Sequence, residues 1–437
     1  MKHHPSLWSQ TVSLPRFESL KGAVSTDVLI IGGGICGILC AYYLHQAGIP
    51  YLLAEGGRIC GGETQNTTAK ITSQHGLIYH QLAKKEGSER AGLYLSAQQE
   101  ALQEYQTLCQ SIDCDYEEKT AYLYSLTNRD KLENEVLTLN RLGFPARLTE
   151  QPNLPFQTAG AVAFDHQAQF HPLKFIAAIA QNLNIYEDTF VQKIRGKQAV
   201  TNHGTITAKQ IIVATHFPFL NKHGGYFVKL YQHRSYVLAL EQGPDLDGMY
   251  LDEAQNGLSF RNYKNYLLLG GGGHKTGKEG GGWIALRTFA QQFYPSLQER
   301  YTWAAQDCMP LDNIPYIGRY SKSTPHLFTA TGFHKWGMTS SMAAALLLRD
   351  LILERDNPYR ELFSPQRRMR KAQLMVNGAN AVTNLVTPTA PRCPHLGCAL
   401  KWNKAEHSWD CPCHGSRFAQ DGTLLDNPAT GGISPEK

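Results

Sequence analysis

A strand, a glycine turn and a helix follow one another within the first fifty residues, and that order admits few folds. Asp27–Ile31 (DVLII) is a short unbroken apolar run, the pattern of a strand buried on both faces. Gly32-Gly33-Gly34-Ile35-Cys36-Gly37 follows, then an apolar, helix-compatible stretch over Ile38–Ala47 with Gly48 as its C-cap. Tyr51–Ala54 reads as a second strand and ends on Glu55. A lone G-x-G-x-x-G says little, but this one has its strand, its helix and an acidic residue about 20 positions on. Gly32 permits the tight turn, Gly34 lets the backbone approach a pyrophosphate, and Gly37 lets the helix pack close to the strand. The helix N-terminus offers unpaired N–H groups and a positive dipole end to the phosphates. Glu55 is positioned to accept hydrogen bonds from a ribose diol. A dinucleotide site is the expectation, ahead of a glycine turn with no ligand.

Beyond the opening unit, Leu82–Leu108 is rich in Ala, Gln, Glu and Leu and is expected to be helical. Gln210–Ala214 is another buried strand, and the chain alternates in strand fashion from Tyr226 to Gly273. Strands clustered mid-chain after such a start predict an inserted antiparallel sheet. Gly270–Gly273 followed by His274-Lys275-Thr276 faintly resembles a phosphate loop, but His274 intervenes where glycine must precede the lysine, so a loop after a strand is expected. Leu327–Ala330 reads as a strand and Met338–Arg355 as a long apolar helix. The expected division is a nucleotide-binding domain over 1–360, a linker over 361–388 and a small domain over 389–437. The basic run Arg367, Arg368, Arg370 and Lys371 reads as a solvated linker face.

Ten cysteines are spread unevenly, and four of them crowd into 393–413. A secreted disulfide scaffold would distribute them along a shorter chain, so the crowding points to a metal site. The segment reads Cys393-Pro394-His395-Leu396-Gly397-Cys398 and then Cys411-Pro412-Cys413-His414-Gly415-Ser416. Zinc sites favour C-x₂₋₄-C and H-x₃₋₅-H spacings, which C-x-H and C-x-x-H fit poorly.

On these residues the chain resembles two known families. Residues 25–355 resemble the D-amino-acid dehydrogenase/glycine oxidase flavoenzymes. Val191 falls where that family has a strand whose backbone meets the adenine. Ile211–Thr215 (IIVAT) matches the strand that returns to the FAD, where this chain continues with His216 in place of the family's small residues. Asp312–Gly318 (DNIPYIG) resembles the family's D-G-x-P-x-I-G segment, and Thr331–Thr339 (TGFHKWGMT) its closing flavin loop, with Gly332, Gly337 and Met338 at the ring. The resemblance implies FAD. Independently of it, a helix N-terminus aimed at the flavin N1/O2 edge would stabilise negative charge there. Thr64–Lys70 is expected to run beside the pyrophosphate and flavin, although N-capping explains its hydroxyls as well.

The C-terminal segment resembles Rieske domains. That resemblance implies a [2Fe–2S] cluster in which Cys393 and Cys411 hold one iron and His395 and His414 the other. It also implies a disulfide between Cys398 and Cys413, unusual for a cytosolic protein. Little but a Pro-rich connector precedes Cys393, so the small domain is expected to lean on the larger one for shelter. Together the two modules resemble a bacterial group of D-amino-acid-dehydrogenase-like proteins with fused Rieske domains. The implied class is α/β: a Rossmann-like FAD-binding domain with an inserted antiparallel-sheet substrate domain, plus a small β-rich C-terminal Rieske domain.

The implied function is an FAD-dependent oxidoreductase that oxidises a small-molecule amine or amino acid and passes electrons through the cluster to an external acceptor. Arg261 and His274 are candidates for the substrate pocket, Arg261 as a bidentate carboxylate clamp. A cluster-fed flavin reductase and a non-catalytic redox sensor or carrier remain as alternatives. With 42% hydrophobic and 18% charged residues the chain can bury a core. A net charge of +5 is too small to argue for nucleic acid. No stretch reaches the roughly 18 apolar residues of a membrane span, and residues 1–25 lack a signal-peptide core, so a cytoplasmic location is expected.

One departure from the Rieske pattern has a measurable consequence. Ser416 is present, but Phe418 stands where respiratory Rieske proteins often have a tyrosine. One hydrogen bond of about 1 kcal/mol corresponds to roughly 40 mV for a one-electron couple at about 59 mV per factor of ten. Phe418→Tyr is therefore expected to raise the cluster's midpoint potential by up to about that amount in a redox titration.

Overall fold

The strand Gly22–Ile31 ends in four buried apolar residues and lies at the centre of a parallel sheet. It pairs in parallel with Tyr51–Ala54 on one side and Gly204–Val213 on the other. Leu327–Thr331 continues the parallel set, the short strands Ile185–Tyr186 and Tyr316–Arg319 form its edges, and a hairpin of Val191–Arg195 and Gln198–Thr201 extends it. The helices Ile35–Gln46 and Gly337–Ile352 pack against each other, and Ser88–Cys109 packs on the latter. This computed structural model describes residues 4–220, 223–368 and 391–433.

The second sheet runs Gln298–Pro310, Leu230–Glu241, Tyr266–Lys275, Ser259–Tyr263, Met249–Asp252, Glu117–Ser125, Gly160–Gln169 and Lys70–Ile71. All its neighbours are antiparallel except Met249–Asp252 beside Glu117–Ser125. The expected inserted sheet is present, but it is assembled from two stretches of chain that flank the strand Gly204–Val213. The run Gly270–Gly273, expected as a loop after a strand, instead lies inside the strand Tyr266–Lys275, which stays paired with Leu230–Glu241 to its end. The predicted helix over 82–108 is two helices, Ile78–Glu86 and Ser88–Cys109, broken at Gly87.

Four short antiparallel strands form the C-terminal sheet: Lys401–Asn403, Ser408–Asp410, Arg417–Ala419 and Leu424–Asp426. Of the expected linker, only 361–368 fall among the described residues. There Arg367 departs from the solvated face expected of it. Its guanidinium is buried, forks onto Asp312 at 2.7 and 2.8 Å and lies 3.8 Å over the Tyr316 ring. Arg368 is exposed; Arg370 and Lys371 lie outside the described residues.

The small domain does lean on the large one, through buried charge. Arg234, only 2% exposed along its side chain, sends Nε to Glu406 Oε1 at 2.9 Å and Nη2 to Glu406 Oε2. Arg417 reaches the same carboxylate at 2.7 Å and also holds Asp410 at 3.1 Å and Asp426 at 2.9 Å. Burial pushes the Glu406 pKa up, but the two arginines overcome it and hold the carboxyl at about 2. Its contribution to docking is therefore present at neutral pH and lost only as pH falls toward 2. Glu406→Leu would leave two buried guanidiniums short of a partner, a change that typically costs about 3–5 kcal/mol. A lower melting temperature and faster proteolysis at the small domain are expected, and native-like cleavage would show that the seam holds without this pair.

Candidate functional site: a nucleotide cradle and a Cys/His cluster on one seam

At the turn after the first strand, geometry excludes side chains. Gly32 has φ +107, and a Cβ there would stand 2.6 Å from Ala214 O. A Cβ on Gly37 would stand 1.9 Å from Gly32 O. Glu55 closes the turn: Gly33 N donates to one carboxylate oxygen at 2.6 Å and Gly57 N to the other at 2.9 Å. Burial raises the Glu55 pKa and these two donors oppose it. Thr64 Oγ1 accepts from Ile35 N at 2.9 Å, so the stretch after Gly62 does cap the helix beside the cradle. Val191 is buried at the start of its strand.

The loop from Gly332 leads into the helix Gly337–Ile352. His334 Nδ1, Ser340 Oγ and Ser341 Oγ are buried there without hydrogen-bond partners among the described residues. His334 and Lys335 both have positive φ, +50 and +69. His75 stacks on Trp336 at 4.8 Å and hydrogen-bonds Thr339 at 3.0 Å. A glycine cradle, a ribose-type carboxylate and unspent polar atoms at a helix N-terminus fit a flavin dinucleotide.

The cysteines and histidines come together as a second cluster. Cys393 and Cys411 are buried free thiols whose mutual hydrogen bond pulls Cys393 below the usual thiol range and pushes Cys411 above it. The His395 and His414 rings lie 4.9 Å apart at 83°. Burial lowers their pKa values to about 4 and about 3, so both are neutral imidazoles, the form that ligates metal. Cys398 and Cys413 are joined as a disulfide. Ser416 Oγ accepts from Ala429 N at 3.0 Å, and Phe418 is fully buried beneath the loops. Two thiols and two neutral imidazoles at the ends of two loops fit a mixed Cys/His iron–sulfur cluster.

His414, 2% exposed, faces the larger domain, with its ring 6.0 Å from Phe217 and 6.1 Å from Phe227. Gln306 Nε2 donates to Gly415 O at 2.8 Å, and Asn427 Nδ2 donates to Thr215 O and Phe217 O. No motif marks Gln306 or Asn427 in the sequence. His395 is the half-buried histidine of the pair.

Arg261 and His274 do not share a pocket. Arg261 pairs with Leu268, and His274 is six residues farther along that strand, about 20 Å at the strand rise. His274 bonds Tyr236 OH at 3.0 Å near the small domain, its strand partner being Arg234. Arg261 is buried over Trp8 and spends Nη1 on Thr68 O and Ala69 O at 2.8 Å each. Only its Nη2 is without a partner among the described residues, so a two-pronged clamp is not available. Lys70 sits beside it, its amine lowered to about 7 by burial and then by Arg261. Among the described residues no helix is long and apolar enough to cross a membrane.

Comparison with known proteins agrees with this geometry. The sequence model of the FAD dependent oxidoreductase (DAO) family matches residues 27–351, and that of the Rieske [2Fe-2S] domain matches 368–435. YhfW of Bacillus subtilis (strain 168), whose name proposes a Rieske 2Fe-2S iron-sulfur protein, is 33% identical over 485 aligned residues, covering 97% of this chain and 95% of that protein. The cytochrome b6-f complex iron-sulfur subunit 3 of Nostoc is 51% identical over 37 residues, 8% of this chain and 21% of its own. Among solved structures, glycine oxidase from Geobacillus kaustophilus superposes with a TM-score of 0.67 at 21% identity, over 79% of this chain and all of its own. L-amino acid deaminase from Proteus vulgaris gives 0.63 at 16%, over 80% of this chain and all of its own. At those identities the likeness is one of fold.

Gly37→Ala forces its methyl into the Gly32 carbonyl, an overpacking that typically costs about 1–3 kcal/mol. The expected result is purified protein with less flavin per chain but native iron content; full flavin occupancy would show that the helix can shift to accommodate it.

Proposed function

Since this chain belongs to the FAD dependent oxidoreductase (DAO) family and carries a Rieske [2Fe-2S] domain at its C-terminus, we propose that it oxidises a small amine or amino acid at FAD and passes the electrons through the cluster to an external acceptor. The observation that carries this reading is the seam: the cluster-bearing loop packs its buried histidine onto the flavin-binding domain, beside the segment that follows the strand returning to the nucleotide turn. What supports the substrate class is the fold shared with glycine oxidase and L-amino acid deaminase.

FAD supplies a two-electron acceptor for cleavage of a C–H bond next to nitrogen, and the cluster supplies one-electron transfer. Gly32, Gly34 and Gly37 would admit the pyrophosphate, Glu55 would hold the ribose, and the Val191 backbone would serve the adenine. Gly332, Gly337 and Met338 would bring the helix N-terminus to the flavin, where its dipole would favour negative charge. Cys393 and Cys411 would hold one iron and His395 and His414 the other, with the Cys398–Cys413 bridge tying the two loops. A neutral amine needs no strong protein base. Arg261 Nη2 offers one point of contact to a carboxylate, and the Lys70 amine beside it, near half-protonated at neutral pH, reinforces the anion.

The test is anaerobic addition of a panel of amines and amino acids to the purified protein. Bleaching of the flavin band together with a rhombic EPR signal of low average g is expected with at least one compound. A cluster signal that appears only with dithionite would remove the amine-oxidation reading and leave the cluster in place.

A further inference from the structure

One histidine at the seam is held in the left-handed backbone region. His216 has φ +62, two residues beyond Ala214, whose carbonyl walls the nucleotide turn. Positive φ is uncommon away from glycine, though histidine adopts it more readily than most residues, and it persists where the surrounding structure holds it. Here it is enforced from both domains. Thr331 Oγ1, at the start of the flavin loop, donates to the His216 carbonyl. Asn427 of the small domain donates to the carbonyls on either side, Thr215 O and Phe217 O.

The ring points at the cluster loop's support. His216 Nε2 donates to Gln232 Oε1 at 3.2 Å. Gln232 lies flat on Gly415, the residue after His414; a Cβ on Gly415 would stand 2.2 Å from Gln232 Cγ. Gln306 holds the Gly415 carbonyl at 2.8 Å and is itself held by Thr276 at 2.9 Å. Gln232 Nε2 is buried without a partner among the described residues, so His216 is the hydrogen bond that orients this amide. A small residue at 216 would suit the backbone better and would leave Gln232 with neither end of its amide paired.

We propose that His216 is a positioning residue for electron transfer, acting through Gln232 to set the cluster-binding loop against the flavin site. The inference rests on flow between flavin and cluster as proposed above. Electron transfer slows steeply as the gap between donor and acceptor widens, so the seat of the cluster-binding loop sets its rate.

The experiment uses the full holoprotein and no substrate. The reduced protein is mixed with one equivalent of ferricyanide, which takes one electron from the cluster; reduced flavin then refills it, and the cluster's visible band reports the rate. His216→Gly keeps the left-handed turn and removes the ring. It is expected to slow refilling severalfold while iron content, flavin content and melting temperature stay native. His216→Gln carries an amide donor out to the reach of the ring Nε2, so it is expected to restore much of the rate. Gln232→Leu breaks the pair from the other side and is expected to slow refilling likewise. Refilling at the native rate in both His216→Gly and Gln232→Leu would overturn the proposal. Absence of refilling in the unaltered protein would overturn the flavin-to-cluster reading itself, and the positioning role with it.

Discussion

The contact on which the two-site arrangement depends is the buried pairing of Arg234 with Glu406, shared with Arg417. The small domain has four strands of three residues each and too little apolar surface to stand securely alone. It is pinned internally by the Cys398–Cys413 bridge and by Arg417 among three carboxylates. Externally it is pinned by Arg234 from the long strand Leu230–Glu241. Buried ion pairs are weak sources of net stability but strong sources of geometric definition, because removing either partner leaves the other stranded. Here the definition concerns which face of the small domain meets the flavin-binding domain.

That orientation separates the two histidines. His414 lies against Phe217 and Phe227, with Gln232 and Gln306 on the next residue, Gly415, whereas His395 remains half-buried on the loop that carries exposed Leu396. Neutral, desolvated imidazoles on both sides are consistent with ligands that stay unprotonated across the physiological range. The inward histidine meets the larger domain through non-bonded ring contacts, and the other lies at the half-buried edge of the small domain.

The sequence exposed those parts of the structure that rest on local rules. The turn from Gly32 to Gly37 is legible because only glycine meets the carbonyls of Gly32 and Ala214 at those distances, and Glu55 because an acid must end the second strand. The buried strands Asp27–Ile31 and Gln210–Ala214 declared themselves as unbroken apolar runs. Arg261 and His274 misled, since one alternating stretch carries both and nothing in the alternation shows that its two ends serve different neighbours. Arg367, read as part of a solvated run, is buried because Asp312 and Tyr316 lie 55 and 51 residues away in sequence and adjacent in space.

By itself, then, the sequence determined the chemistry available: a glycine cradle with its acid, and two cysteine–histidine loops whose spacing suits one kind of cluster. These are properties of a few neighbouring residues, and each is dictated by sterics or by ligand geometry. Only the tertiary structure decided that the two sites share a seam, that His414 rather than His395 turns inward, and that His216 is held across the join. Those outcomes depend on Gln232 and Arg234 of one strand, Gln306 of the next and Asn427 just past the last strand of the small domain, which carry no local signature. Their partners are chosen by packing over hundreds of residues, and no spacing rule encodes that.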